Sequence, residues 1–261
     1  MRVQRKKVAS GNLFSLTVPE WKESSPGPCV IMADTDINCM ATPDLSVVIP
    51  TLNAGHAIRA TLDSLGAGIE IIVCDGGSHD GTCQLAADNG ARVIGASRGR
   101  GSQLAAGAAA AGGSWLLFLH ADTVLEPGWR DEAEAFMAAS PDRAAAFRFA
   151  LDDGSPQARR LERMVAWRCR VFGLPYGDQG LLISRALYRR VGGYRPLPLM
   201  EDVDMVRRLG RDRVALLSAA AVSSAERWRR DGWLIRSARN LLCLGLFGIG
   251  IPASVIRRVY G

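Results

Sequence analysis

Leu116-Leu117-Phe118-Leu119-His120-Ala121-Asp122-Thr123 runs from four apolar residues straight into His-Ala-Asp. A short apolar run bounded by polar residues reads as a buried strand. Side chains alternate across a strand, so His120 and Asp122 share one side while Ala121 faces the other. Ligands of open α/β sheets bind just outside the carboxyl ends of the strands. A carboxylate there is placed to hold a divalent cation against a diphosphate. The plainer reading makes Asp122 a cap for the turn before Glu126-Pro127-Gly128, because Asp is a common turn residue.

Outward from this stretch the pattern alternates strand and helix. Strands are predicted at Leu45–Ile49, Glu70–Cys74, Arg92–Ile94 and Trp115–Leu119, with helices at Ala57–Leu65, Gly81–Asn89 and Ser102–Ala111 between them. Gly112-Gly113 supplies a stop signal for the third helix. That succession argues for a parallel sheet covered by helices. Past Pro127 the rhythm changes. Helices are predicted at Trp129–Ala139, Arg159–Phe172, Arg185–Val191 and Asp202–Leu209, and strands at Ala144–Leu151, Gly180–Ser184 and Val214–Ser218. The two halves are expected to share one continuous sheet.

Composition sets the wider limits. A chain of 261 residues, 48% hydrophobic and 22% charged, is long enough to bury a sizeable core and is not disordered as a whole. Six cysteines without a CxxC pair or metal-ligand spacing fit a reducing compartment, with Cys74 buried in a strand. Net charge is +6, and all three lysines lie before residue 23. Residues 1–43 carry Pro19, Pro26, Pro28 and Pro43 without sustained periodicity, and read as a poorly ordered extension ahead of a folded unit from Asp44. No secretory signal is credible, and a cytoplasmic location follows. Leu241–Ile251 is strongly apolar but short of the ~20 residues a spanning helix needs. Arginines 227, 229, 230, 236 and 239 precede it and Arg257 and Arg258 follow, which suits peripheral contact of residues 226–261 with the inner face of the cell membrane. A solvated basic face beside a core helix is the competing and commoner reading.

The loops after the strands carry the chemistry. Pro50-Thr51-Leu52-Asn53 follows the first strand and Asp75-Gly76-Gly77-Ser78-His79-Asp80-Gly81-Thr82 the second, on the same sheet edge as His120 and Asp122. Asp75 can accept from a base imide or a ribose hydroxyl, and its glycines let a flat ring or a phosphate approach the backbone. Asp80 reads as an N-cap. Arg98-Gly99-Arg100-Gly101-Ser102-Gln103 opens the third helix, where charge, backbone donors and dipole make a diphosphate cradle. Tyr176-Gly177-Asp178-Gln179-Gly180 and Glu201-Asp202-Val203-Asp204 bring further acids. Glu201 and Asp202 open a helix, where carboxylates are favoured in any protein; one of them could instead take a proton from an attacking hydroxyl.

These motifs together resemble family 2 glycosyltransferases with a GT-A fold: Ser46 to Asn53, Asp75-Gly-Gly-Ser-x-Asp80-Gly-Thr, His120-Ala-Asp122-Thr and Glu201-Asp202, in order and at plausible spacing. Arg98 to Gln103 with Leu116 to Thr123 resembles, more narrowly, a bacterial subgroup associated with radical-SAM and selenium-related proteins. The resemblance covers Asp44 to the end of the chain. It implies a mostly parallel central sheet flanked by helices, a nucleotide-binding half over about 44–125, an acceptor half over about 126–225 and amphipathic C-terminal helices. It implies that Asp75 contacts the base, that Arg100 lies near base and diphosphate, that Asp122 binds the metal as last acid of a DxD motif, and that Asp202 is the catalytic base supported by Glu201. His120 stands where the first Asp of that motif is usual, a departure that bears on ribose recognition by that position. Arg227-Trp228 resembles a terminal basic-aromatic motif near diphosphate and acceptor, without its usual Gln.

The expectation is an inverting transferase that moves a sugar from a nucleotide-diphosphate donor, UDP-linked, to a hydroxyl acceptor of lipid-like character. Pro50, Thr51, Asn53, Asp75, Arg98, Arg100, Gln103, His120, Arg227 and Trp228 are the expected donor contacts. Mg²⁺ or Mn²⁺ would sit on Asp122, because such ions need only one or two protein carboxylates when phosphates and water fill the other sites. Two rival classes stand beside this one. A sugar nucleotidyltransferase should show a Gly-rich loop with a cation after the first strand, and Thr51-Leu52-Asn53-Ala54-Gly55 has none. A non-catalytic membrane-surface protein on a degenerate GT-A fold is favoured by His120 and opposed by the retained acids. Nucleic-acid binding is disfavoured, since the arginines are scattered and no aromatic platform accompanies them.

Overall fold

Alternation along β1 (Leu45–Thr51) explains the layering of the protein. In this computed structural model, which describes residues 44–260, Val47 and Ile49 enter one hydrophobic cluster and Val48 enters another on the opposite face of the sheet. The expectation about residues 1–43 lies outside the described residues. Strands β2 (Glu70–Asp75), β3 (Arg92–Gly95) and β4 (Trp115–Phe118) pair in parallel around β1. Further on come β5 (Thr123–Leu125), β6 (Ala144–Leu151), β7 (Leu181–Ser184) and β8 (Val214–Ser223). All eight form one sheet in the order β3-β2-β1-β4-β7-β6-β8-β5. The first half is parallel throughout; β7 then enters antiparallel to both β4 and β6, while β6 and β8 are parallel.

Helices cover both faces. Helices α1 (Ile58–Leu65), α2 (Thr82–Asp88) and α4 (Trp129–Ala139) lay Ile58, Leu62, Leu65, Ala86, Trp129 and Ala133 on one side. Helices α3 (Arg100–Ala110), α6 (Arg185–Arg190) and α7 (Glu201–Leu209) lay Leu104, Ala108, Leu187, Met205 and Leu209 on the other. The chain runs outward from β1 to β3 and returns through α3 to β4, so neighbours β1 and β4 diverge in connection. Ligands of such sheets bind at that switch point, beyond the strand carboxyl ends.

Helix α5 (Pro156–Phe172) starts three residues before its predicted Arg159, because Ser155 accepts from Ala158 N at 3.2 Å and Pro156 takes the first helical position. Strand β8 extends five residues past the predicted Ser218 through an alanine-rich stretch of weak strand propensity, held by pairing to β6 and β5. The three-residue β5 was not predicted. It replaces the simple turn after Asp122 and joins that residue to β8, with Thr123 opposite Ser223.

Helix α3 packs very close to the sheet at Gly107. A Cβ there would meet Val48 Cγ1 and lie 2.5 Å from Cys74 Sγ, both on fully buried residues. Gly107→Ala is therefore expected to cost about 1–3 kcal/mol, as overpacked cores do. Urea unfolding measures it, and a loss below about 0.5 kcal/mol would mean that α3 shifts freely.

Candidate active site

The floor of the site is built where β1 and β2 end. Asp75 is buried, and four protein donors reach it: Thr51 Oγ1 and Ser78 Oγ at Oδ1, Gly77 N and Ser78 N at Oδ2. Burial would raise its pKa, but these hydrogen bonds win and hold it below the usual carboxylate range. An ionised carboxylate offers about four lone-pair positions, so a base imide gains Asp75 only when a donor such as the Ser78 hydroxyl turns away. Asn53 sits in the left-handed region at φ 52° and laces the two loops, donating from its N to Ser78 Oγ and accepting from His79 N. Asp80 accepts from Gly55 N and from Thr82 N and Oγ1, so it ties the same loops; the N-cap of α2 is Gly81, in the left-handed region, and not the expected Asp80. Gln103 is buried, and its amide nitrogen donates to the carbonyls of Thr51 and Cys74 at 2.6 and 2.8 Å. It is a brace under the floor rather than the donor contact expected of it. Thr51 is likewise engaged with Asp75, and Pro50 continues β1 opposite Cys74.

Beyond β4 the charged groups gather. Arg100, in the first turn of α3, puts Nη1 3.5 Å from His120 Nε2 and Nε 3.3 Å from Glu201 Oε1. Helix α7 opens from Met200 at φ 65°; among the described residues only Asn53 shares that left-handed backbone without being glycine. Strain of this kind collects at functional sites. It sets Glu201 inward, 1% exposed, and leaves Asp202 half-buried with Oδ2 accepting from Gly177 N at 2.8 Å and Oδ1 from Val203 N. A Cβ on Gly177 would come 2.7 Å from His120 Nε2 and 3.2 Å from Asp202 Oδ2, so only glycine lets these groups close. Asp204 pairs with Arg208 on the same helix and with Arg195 in the loop before it.

Electrostatics follow burial. Desolvation and the Arg100 charge push His120 down to about 4, so it is a neutral imidazole near pH 7. Burial, reinforced by the Asp202 charge against the pull of Arg100, raises Glu201 from 4.5 to about 7. The folded state therefore keeps a proton that the unfolded chain has lost, and stability falls as pH rises through that window and levels off above it. Glu201→Gln should flatten this decline in urea melts between about pH 5 and about pH 8. An unchanged slope in the variant would remove Glu201 as its source.

Asp122 follows the strand end as expected of it, with Ala121 turned into the core cluster on the opposite side. Antiparallel β5 carries it beside the end of β8, and Arg227 at the start of α8 (Glu226–Asp231) forms an ion pair with it, Nη2 3.2 Å from Oδ2. The carboxylate is a quarter exposed and the arginine more than half. Trp228 is partly buried beside Arg227. Its ring stacks on Trp233 at 5.9 Å, lies under Arg236 and packs with Phe149 and Leu151. Arg98 is exposed ahead of α3.

Three further groups belong here that were not singled out as site residues: Tyr176, Gly177 and Asp178. The Tyr-Gly-Asp-Gln-Gly run was the signal for them. Tyr176 stacks under Arg168 at 3.7 Å, and burial raises its hydroxyl to about 12. Burial lifts Asp178 to about 6, with its Oδ1 unpartnered among the described residues.

The family model for glycosyl transferase family 2 matches residues 46–194, over half of the chain and including β1, β2, α3 and β4. The chain belongs to this family. A PGL/p-HBAD biosynthesis glycosyltransferase of Mycobacterium bovis is 39% identical over 97 residues, a stretch covering 33% of this chain and 38% of that protein. An uncharacterized glycosyltransferase of Mycobacterium tuberculosis is 36% identical over 90 residues, covering 34% and 41%. The family 2 chain thus spans well under half the length of these relatives. Among solved structures, glucosyl-3-phosphoglycerate synthase from M. tuberculosis, in complex with Mn²⁺, UDP and glucosyl-3-phosphoglycerate, aligns at TM-score 0.55 and 24% identity over 80% of this chain and 81% of that one. S. aureus TarS in complex with UDP aligns at TM-score 0.55 and 18% identity, over 83% and 69%. At such identities the shared property is the GT-A fold.

Proposed function

We propose that this family 2 chain transfers a sugar from a UDP-linked donor to a hydroxyl acceptor with inversion at the anomeric carbon. The observation that carries the reading is the gathering of Arg100, Glu201 and Asp202 round the neutral His120 imidazole at the carboxyl end of β4, with Asp122 two residues on. UDP in both solved neighbours supports the donor class. Family membership weighs against the sugar nucleotidyltransferase, and the retained acids weigh against a degenerate fold. The Arg98–Gln103 and His120–Thr123 motifs support the narrower subgroup associated with radical-SAM and selenium-related proteins.

In this reading Asp75 receives the base once Ser78 yields, and Arg100 and Arg227 set positive charge against the diphosphate. Asp202 accepts the proton of the acceptor hydroxyl while its oxygen attacks the anomeric carbon opposite the departing diphosphate. Glu201 keeps Arg100 in place and holds the first turn of α7. Thr51, Asn53 and Gln103 act by positioning the floor. Asp122 fits Mg²⁺ or Mn²⁺: it is a hard oxygen ligand at a strand end, partly open, and its present partner is a solvent-facing arginine free to turn away. Arg227 and a cation cannot both engage Oδ2. Such an ion, when bound, neutralises charge on the diphosphate.

A panel of nucleotide sugars with and without Mn²⁺ tests this. One UDP-sugar should raise the melting temperature and release UDP slowly, and NMR of a captured product should show the inverted anomer. No stabilisation by any nucleotide sugar, or a retained anomer, would overturn the reading.

A further inference from the structure

Helix α9 (Trp233–Gly248) turns an apolar stripe outward. Its buried residues are Arg236 and Cys243, while Leu234, Ile235, Leu241 and Leu242 are 53–83% exposed and Ile249, just past its end, is 77% exposed. These positions, with Ala238 and Gly245, recur at helical spacing on one outward face that carries no charged residue. The inner arginines are neutralised within the fold. Arg236 and Arg239 both donate to Asp231 Oδ2, and Arg236 lies over Trp228 and Arg239 over Tyr260. A helix facing water should show the reverse arrangement.

Charge is segregated in the same region. Residues 44–225 hold 20 arginines and 20 acids, whereas residues 226–260 hold seven arginines and two acids. Of these arginines, Arg257 and Arg258 are exposed on α10 (Ala253–Tyr260), which packs back along α9 with Tyr260 under Arg239; Arg227, Arg229 and Arg230 are exposed ahead of α9, each beside an acid. We propose that the outer face of α9, with the exposed arginines of the elements around it, is a docking face for an anionic lipid bilayer. The helix lies along the surface; no helix among the described residues is long and apolar enough to cross. A second copy is a poorer occupant, because it would set the seven arginines and two acids of residues 226–260 against the same excess of positive charge. The face is joined to the cleft: Arg227, six residues before α9, holds Asp122, and Arg207 of α7 lies over Phe247. An acceptor carried in the bilayer would meet the site at its C-terminal rim, a consequence that rests on the transferase reading; the docking does not.

Vesicle flotation of the full chain tests it, with phosphatidylcholine alone and with about 30% phosphatidylglycerol, at about 0.05 M and about 0.5 M salt. The chain should float with the anionic vesicles at low salt and at least about tenfold less with neutral ones. Leu234→Glu/Leu241→Glu should lose flotation with an unchanged melting temperature and unchanged UDP affinity. Arg257→Gln/Arg258→Gln should float less and with weaker salt dependence. A chain that stays soluble on anionic vesicles at low salt overturns the proposal. So does a Leu234→Glu/Leu241→Glu variant that still floats, or one whose only change is from dimer to monomer. Unchanged flotation in a chain that fails to bind UDP would sink the donor reading and leave the docking face standing.

Discussion

Asp202→Asn is expected to lower sugar transfer by about 10²–10⁴-fold, the usual worth of a positioned general base, while leaving UDP affinity within about twofold of the parent. The asparagine preserves shape and can still accept from Gly177 N through its carbonyl oxygen, as Oδ2 does now at 2.8 Å. What it cannot do is take the proton of the incoming hydroxyl. Single-turnover transfer and calorimetric titration of UDP separate the two effects. Turnover equal to the parent's would remove Asp202 from the chemistry, and a comparable fall in UDP affinity would reassign it to binding. Glu201→Gln should be milder in rate, because Glu201 is 1% exposed and faces Arg100 rather than the open cleft.

Asp122→Ala is expected to abolish the gain in UDP affinity that Mn²⁺ confers, with at most a small loss of stability. Its carboxylate is partly open and its partner Arg227 is more than half exposed, so their pairing contributes little to folding. The same pairing predicts competition. Arg227→Gln should leave Asp122 free and lower the Mn²⁺ concentration at which UDP binding is enhanced, while weakening UDP binding without metal. Calorimetry with and without EDTA reads both. An Asp122→Ala protein with the parent's Mn²⁺ dependence would place the ion elsewhere.

Local chemistry carried much of this arrangement into the sequence. The period of two along Val47, Val48 and Ile49 is enough to send neighbours to opposite clusters, and the apolar runs mark β2 and β4 within one residue of their ends and β1 within two. Ser155 and Pro156 mark the start of α5 equally well, although the Arg-rich run that follows drew the predicted boundary inward. Strand β5 and the last half of β8 were illegible because three residues and an alanine run have little preference of their own; pairing alone makes them strands.

The site divides along the same line. That Asp75, His120, Asp122 and Asp202 stand at strand ends or a helix start follows from short-range pattern, since each is flanked by the residues that end or begin its own element. Whether such a residue faces a ligand or braces a loop depends on partners far along the chain, 52 residues away for Gln103 and Thr51, 105 for Asp122 and Arg227. Periodicity carries no information about those encounters. The sequence therefore determined the fold family, the sheet edge and the acids that crowd it. Only the tertiary structure decided that Gln103 is buried under the floor, that Trp228 stacks on Trp233, that Gly177 closes on Asp202, that Arg227 pairs with Asp122, and that Leu234, Leu241 and Leu242 of α9 point outward, because each outcome is set by which distant surfaces the folded chain brings into contact.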